Sequence, residues 1–145
     1  MAGQPTTILI GLRGCGKSTL GRELALESAR DFIDLDDVTP RHLGRTTVAE
    51  AWRLDGEEAF RRAEAAALHD KLRHQGIVLA LGGGPPTAPG ARDMLIEQQR
   101  TARGLIVYLR ASASTLRERL SLASNADRPT LTGAGTLEEI EGVLE

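Results

Sequence analysis

The segment GLRGCGKS at residues 11–18 constrains the fold more than any other part of the chain. It satisfies the pattern G-x-x-x-x-G-K-[ST], and it lies between a run of branched apolar residues and a stretch with helical character. Glycines at 11, 14 and 16 permit a turn whose successive N–H groups face one anion, and the following helix adds its positive end. The segment predicts a phosphate cradle; the alternative is a tight turn whose glycines only allow close packing.

The side chains that end this segment suit a nucleotide. Lys17 can reach the β and γ phosphates, and Thr19 can contact the α phosphate. The hydroxyl of Ser18 suits Mg²⁺, which prefers oxygen ligands and commonly bridges nucleotide phosphates. These residues do not by themselves distinguish a kinase from an NTPase switch.

Alternating strands and helices predict the fold class. Four short apolar runs predict buried strands at residues 7–10, 32–35, 77–81 and 105–109. Segments of helical character at residues 17–29, 57–75, 91–99 and 112–122 alternate with them. This order predicts parallel strands joined by crossover helices, hence an α/β fold with a layered sheet. Polar stretches at residues 39–47 and 124–135 predict loops, and a capping-box pattern at Thr136 predicts a further helix.

Composition limits the possible partners. The 145 residues, 41% of them hydrophobic, are enough for one domain with a core, and we expect residues 1–145 to form a single domain. A net charge of -2 and only four aromatic residues argue against nucleic-acid binding. The single cysteine fits a reducing compartment, since it allows no disulfide within the chain. The sequence shows no leader pattern and no apolar run of about 18 to 20 residues. We therefore expect a cytoplasmic protein without membrane partners.

Two motifs follow the second and third predicted strands, at the sheet edge where parallel α/β folds bind ligands. In the motif DLDD, Asp34 and Asp36 are two apart, so in extended backbone both point the same way. One could hold Mg²⁺ through water while the other accepts a hydroxyl proton; Asp37 is adjacent, and an acidic turn that caps a helix is the alternative. The triplet Gly82, Gly83 and Gly84 predicts a backbone that approaches a small ligand closely, or a flexible turn.

Two arginines are candidate anion ligands. Arg61, beside Phe60 and one turn before Glu64, can bind a carboxylate with its fork of N–H donors; the alternative is a helix face with Glu and Arg pairs. Arg128, in the polar loop motif ADRPTL, could close over a nucleotide and stabilise charge on a transferring phosphoryl group; the alternative is an exposed arginine before a turn proline. The pattern assigns no role to Arg13.

Five motifs in a fixed order carry a resemblance to a known family: GLRGCGKST, FIDLDD, DGEEAFRRAE, LGGG and ADRPTL. On these motifs the sequence resembles the shikimate kinase family of P-loop proteins from about residue 8 to the end. The resemblance implies a three-layer P-loop kinase fold with a central parallel sheet, a core at residues 7–110 and a lid loop at about residues 121–135. It also implies transfer of the γ-phosphoryl group of ATP to the 3-hydroxyl of shikimate with Mg²⁺, in a monomer that takes part in aromatic amino-acid biosynthesis.

The resemblance further implies a role for each matching residue. Asp36 would bind the reacting hydroxyl as the base, Arg61 would hold the substrate carboxylate, and Trp52 would lie near the substrate or serve the core. The metal would be held by Ser18 and, through water, Asp34. ATP would be bound by Gly14, Cys15, Gly16, Lys17, Ser18, Thr19 and Arg128, and the other side of the substrate would be lined by Gly82, Gly83 and Gly84.

Family members continue with a helix that carries a second carboxylate-binding arginine, a last strand and an adenine loop. We therefore expect that the C-terminal strand and helix are missing, either because the chain covers only part of a longer gene product or because its tail was not seen. A gluconate-type kinase is an alternative, but its His-Pro-Asn pattern is not matched by the order of Pro40 and His42. A nucleotide-binding module without catalysis is the other alternative.

Overall fold

The computed structural model describes residues 3–82 and 88–122 of the chain. The strands are β1 (Thr6–Gly11), β2 (Phe32–Asp34), β3 (Val78–Ala80) and β4 (Gly104–Leu109). The α-helices are α1 (Lys17–Glu27), α2 (Leu35–Val38), α3 (Val48–Leu72), α4 (Ala91–Arg100) and α5 (Ala113–Leu122), and a 3-10 helix spans Pro40–Leu43. The predictions for Gly83, Gly84, Arg128 and the helix at Thr136 fall outside the described residues.

The four strands form one parallel sheet in the order β2-β3-β1-β4. In β1, Ile8 lies between Leu79 of β3 and Ile106 of β4. All four predicted strands are confirmed, as is the parallel α/β arrangement. The later strand β3 separates β1 from β2, so the loops after these three strands meet at one edge of the sheet.

Both faces of the sheet are covered by helices, because successive residues of a strand point to opposite sides. On one face, Leu9 and Val78 pack with Ala25 of α1. On the other, Ile8 and Leu79 belong to a larger cluster with residues of α3 and α4. Three layers result, as predicted.

A glycine brings α1 close to the sheet. A Cβ added at Gly21 would collide with the ring of Phe32 and lie 3.1 Å from Leu9 Cδ1. This close approach fixes the start of α1, and with it the turn that precedes the helix, over the carboxyl end of β1.

Two predictions about the segment after β2 are wrong. The stretch 39–47, predicted as a polar loop, contains the 3-10 helix Pro40–Leu43, and Thr39 and Pro40 are buried. Helix α3 begins at Val48, nine residues before the predicted start at Glu57. Thr47 caps it by accepting a hydrogen bond from the N–H of Glu50 at 3.1 Å. The break at Gly56, where φ is 82° and ψ is 170°, hides this early start in the sequence.

No helix within the two described ranges combines the length and the apolar content needed to cross a membrane.

Candidate active site

The turn after β1 needs its glycines for conformation and for space. Gly11, Gly14 and Gly16 have φ values of 149°, 82° and 102°, which other residues rarely adopt. A Cβ at Gly11 would also lie 2.5 Å from the carbonyl oxygen of Leu109 and 2.8 Å from Cys15 Sγ. The N–H of Cys15 closes the turn by donating to the carbonyl oxygen of Leu12 at 3.1 Å.

Lys17 lies inside the turn with only 8% of its surface exposed. Its Nζ donates to the carbonyl oxygens of Gly11 at 2.7 Å and Leu12 at 3.0 Å, and lies 3.6 Å from Cys15 Sγ. These bonds hold a largely desolvated ammonium group against the loop backbone. The predicted phosphate ligand is thus oriented by the same loop whose N–H groups would bind the anion.

Helix α5 supports the turn from the far end of the described chain. Leu116 and Leu120 are buried and pack with Leu12 and Cys15. Arg119 Nη1 donates to the carbonyl oxygen of Gly14 at 3.0 Å. The peptide between Gly14 and Cys15 is therefore held on both sides, at its carbonyl by α5 and at its N–H by Leu12. Sequence reasoning missed Arg119, because the contact spans 105 residues and no local pattern predicts it.

Ser18 and Asp34, the predicted metal ligands, are in direct contact. Ser18 Oγ donates to Asp34 Oδ2 at 2.7 Å, and Asp34 Oδ1 accepts from the N–H of Asp36 at 3.0 Å. Asp34 is therefore also the N-cap of α2. The prediction that Asp34 and Asp36 point the same way in extended backbone is wrong, because α2 begins between them at Leu35. The capping interpretation of this motif describes Asp34, and its role toward a metal ion stays a prediction.

Asp36 and Glu64 both lie close to the position that a Cβ of residue 82 would occupy. A Cβ placed on Gly82 would be 3.3 Å from Asp36 Oδ1 and 3.2 Å from Glu64 Oε1. Any larger residue would push against both carboxylates, so the glycine lets them approach the loop after β3. Glu64 is buried, with 9% of its surface exposed. The sequence indicated it only as a neighbour of Arg61; its contact with Gly82 comes from the packing of α3 against the sheet.

Arg61 is held in a partly buried pocket of carboxylate and aromatic groups. Its Nη1 donates to Glu64 Oε2 at 3.0 Å, and its Nε lies 3.9 Å from Glu57 Oε1. Its Cζ lies 5.5 Å from the ring centroid of Trp52 and 5.9 Å from that of Phe60, within the range of cation–π attraction. The side chain is 15% exposed. The alternative of a helix face with Glu and Arg pairs describes both arginines, since Arg61 pairs with Glu64 and Glu57 and exposed Arg62 pairs with Glu58. The binding of a substrate carboxylate by Arg61 stays a prediction.

The described residues therefore form one continuous constellation at the carboxyl edge of the sheet. Lys17 is followed in sequence by Ser18, whose hydroxyl bonds Asp34. Asp34 in turn accepts from the N–H of Asp36. Glu64 lies close to Gly82 and accepts from Arg61. Thr19 is exposed on the first turn of α1. Three predicted site residues, Gly83, Gly84 and Arg128, lie outside the described residues.

A sequence model of the shikimate kinase family matches residues 13–145. The chain belongs to the shikimate kinase family. A shikimate kinase of Bordetella avium is 40% identical over 135 residues, an alignment that covers 91% of this chain and 61% of the relative. The chain thus spans about three fifths of the length of this curated relative.

Solved structures agree with the family and the fold. A shikimate kinase from Acinetobacter baumannii, solved in complex with shikimate, matches with a TM-score of 0.81 and 30% identity, covering 97% of this chain and 74% of that one. A gluconokinase from Sinorhizobium meliloti matches with a TM-score of 0.64 and 20% identity, covering 99% and 75%. The second likeness shows the shared fold alone, so the gluconate-type alternative gains no support from it.

Proposed function

We propose that this protein transfers the γ-phosphoryl group of ATP to the 3-hydroxyl of shikimate. The observation that carries the proposal is the constellation at the sheet edge in a chain of the shikimate kinase family. It joins buried Lys17, the hydroxyl–carboxylate pair of Ser18 and Asp34, and partly buried Arg61. The relative from Acinetobacter baumannii was solved with shikimate, which supports the choice of substrate.

The residues present fit ATP with Mg²⁺. The Ser18 hydroxyl and the Asp34 carboxylate, 2.7 Å apart, are the hard oxygen donors that Mg²⁺ prefers. Mg²⁺ commonly takes its other ligands from substrate phosphates and water. When bound, Mg²⁺ supplies positive charge at the β and γ phosphates.

Residues of the chain itself bind and orient the phosphates and the substrate, and one of them accepts a proton. Lys17 neutralises charge on the β and γ phosphates, in a site where its own hydration has already been replaced by two backbone carbonyls. Asp36, beside the Gly82 backbone, accepts the proton or hydrogen bond of the reacting hydroxyl. Arg61 binds the substrate carboxylate with N–H donors of its fork other than the one on Nη1 that bonds Glu64.

The remaining parts of the proposal come from the family. Gly14, Cys15, Gly16 and Thr19 complete the ATP site, Gly83 and Gly84 line the substrate, and Arg128 reaches ATP from a lid at about residues 121–135. We further propose that residues 1–145 form a single P-loop kinase domain, with its core at residues 7–110, in a cytoplasmic monomer without nucleic-acid or membrane partners.

The deciding experiment measures ADP release by the purified full-length protein with ATP, Mg²⁺ and either shikimate or gluconate. Shikimate-dependent release is expected. Release with gluconate alone would assign the sugar-acid kinase activity, and nucleotide binding without turnover on either acceptor would indicate a non-catalytic module. Both of these outcomes would overturn the proposal.

Neighbouring residues provide matched controls for the two substrate ligands. Asp36→Asn should lower kcat by at least about 100-fold with little change in ATP affinity, whereas Asp37→Asn, one residue on and exposed, should have little effect. The reverse result would move the base to Asp37. Arg61→Ala should mainly raise the KM for shikimate, and Arg62→Ala, which removes only an exposed pair with Glu58, should not.

A further inference from the structure

The first two turns of α3, residues 48–55, form an arm that Gly56 separates from the rest of the helix. At Gly56, φ is 82° and ψ is 170°, a conformation in which other residues are strained. A Cβ at this position would meet no atom within 4 Å. The glycine is therefore required for backbone conformation and not for space, and the arm takes a direction of its own.

An ion pair fixes the base of this arm. Arg45 Nε donates to Asp55 Oδ2 at 2.7 Å and its Nη2 donates to Asp55 Oδ1 at 3.0 Å. Asp55 is the residue immediately before the break, and the N–H of Arg45 donates to the carbonyl oxygen of Pro40 at 3.0 Å. Two parallel hydrogen bonds restrict rotation as well as distance. The pair thus fastens the arm to the 3-10 helix at the point where it would pivot.

The arm carries one wall of the Arg61 pocket. Trp52 lies on the arm, whereas Phe60, Arg61 and Glu64 lie beyond Gly56. The ring of Trp52 packs against Phe60 with centroids 5.8 Å apart, and the guanidinium of Arg61 lies over both rings. Movement of the arm about Gly56 would remove the Trp52 ring from Arg61 and leave the carboxylates in place.

We propose that Arg45 and Asp55 are positioning residues for Arg61. Their ion pair keeps the arm docked, and the docked Trp52 holds the guanidinium in the orientation that receives the substrate carboxylate. This inference rests on the proposed function, because the substrate role of Arg61 belongs to it. Molecules with an undocked arm bind substrate poorly, so the apparent affinity falls with the docked fraction.

The first test needs no substrate. Trp52 is the only tryptophan of the 145 residues, and a Trp52→Phe variant identifies its share of the emission. Asp55→Asn, which keeps the shape and removes the charge, should shift Trp52 emission to longer wavelength and increase its quenching by acrylamide. Glu97→Gln is the matched control, since it breaks another two-bond arginine pair, with Arg100 on α4, and should leave the emission unchanged.

The second test separates positioning from mere stability. Asp55→Asn should raise the KM for shikimate by up to about fivefold, the largest change in the docked fraction that loss of an ion pair between partly exposed groups produces, with the KM for ATP and kcat nearly unchanged. Arg45→Gln should do the same, and the double variant should be no worse than either single one. Asp55→Glu, which retains the carboxylate, should recover part of the loss.

Gly56→Ala gives an independent route to the same result. The added methyl has open space, but alanine favours a continuous helix, so the arm should leave its docked direction and produce the same change in Trp52 emission and in shikimate KM. If Asp55→Asn does not fold, Arg45→Lys and Gly56→Ala supply the comparison.

The outcomes are distinct. A coupled change in Trp52 emission and shikimate KM supports the inference. An unchanged Trp52 emission, or equal rises in the KM values for shikimate and ATP, refutes the positioning role. Absence of shikimate-dependent turnover in the unmodified protein refutes the proposed function instead, whatever the emission of the variants.

Discussion

Asp34 combines a structural role with a proposed chemical role, and two substitutions separate them. Asp34→Ala removes the N-cap of α2, worth about 1 kcal/mol, and the bond from Ser18, worth about 1.5 kcal/mol to a charged acceptor. The sum predicts a loss of about 2–3 kcal/mol of unfolding free energy, or about 6–9 °C in Tm for a domain of this size.

Asp34→Asn should retain most of this stability. Its amide oxygen can still accept from the N–H of Asp36, and its NH₂ group can donate to Ser18 Oγ, which then acts as acceptor. We therefore expect a loss below about 1 kcal/mol. Activity should not follow stability, because asparagine lacks the negative charge beside the proposed Mg²⁺ site. Both variants should lose about 10- to 100-fold in kcat/KM.

Thermal unfolding and steady-state ADP release, measured on the same preparations, test this separation. Equal destabilisation by Asn and Ala would refute the capping account, since it would mean that the charge alone holds α2. Full activity in Asp34→Asn would refute the electrostatic role at the metal site.

Three further outcomes follow from the described contacts. Gly11→Ala should lower the free energy of unfolding, measured in urea, by more than about 3 kcal/mol. The new Cβ would lie 2.5 Å from the carbonyl oxygen of Leu109 in β4, and alanine would be strained at the φ of 149° that Gly11 adopts. Gly82→Ala should raise the KM for shikimate severalfold at unchanged Tm, since its Cβ crowds two carboxylates at 3.2 and 3.3 Å; an unchanged KM would contradict the substrate role of this loop. The hydrogen bonds from Arg45 hold the pKa of Asp55 below its ordinary 3.8, so this group stabilises the fold above that pH and the contribution disappears as the pH falls through the lowered pKa. Asp55→Asn should therefore make the free energy of unfolding depend less on pH in the acid range, which urea titrations at several pH values measure.

The sequence predicted the parts of the fold that depend on local patterns. Branched apolar runs marked all four strands, and the spacing of Gly11, Gly16 and Lys17 identified the turn between β1 and α1. The early start of α3 had a signal as well, the capping-box spacing of Thr47 and Glu50, but Gly56 interrupts the helical pattern that follows it. A glycine in a left-handed conformation cannot be distinguished in sequence from one that ends a helix.

The contacts that complete the site come from packing between distant segments. Arg119 reaches Gly14 across 105 residues, and Glu64 meets Gly82 only because α3 crosses the sheet. The same applies to Asp34 and Asp36, where an extended strand predicted a shared direction and a helix cap intervened. Residue types indicated the chemistry, whereas tertiary structure determined which atoms meet.

The strand order has a consequence for biosynthesis of the chain. Ser18 and Asp34 are both present once the first 34 residues have left the ribosome, yet β1 and β2 share no hydrogen bonds and are paired within the sheet only through β3. The sheet that holds them in register therefore requires Val78–Ala80 to have been synthesised and inserted between the two older strands. A nascent chain shorter than about 80 residues carries both candidate metal ligands without the strand that pairs β1 with β2, so we expect the site to be completed late, when the sheet assembles.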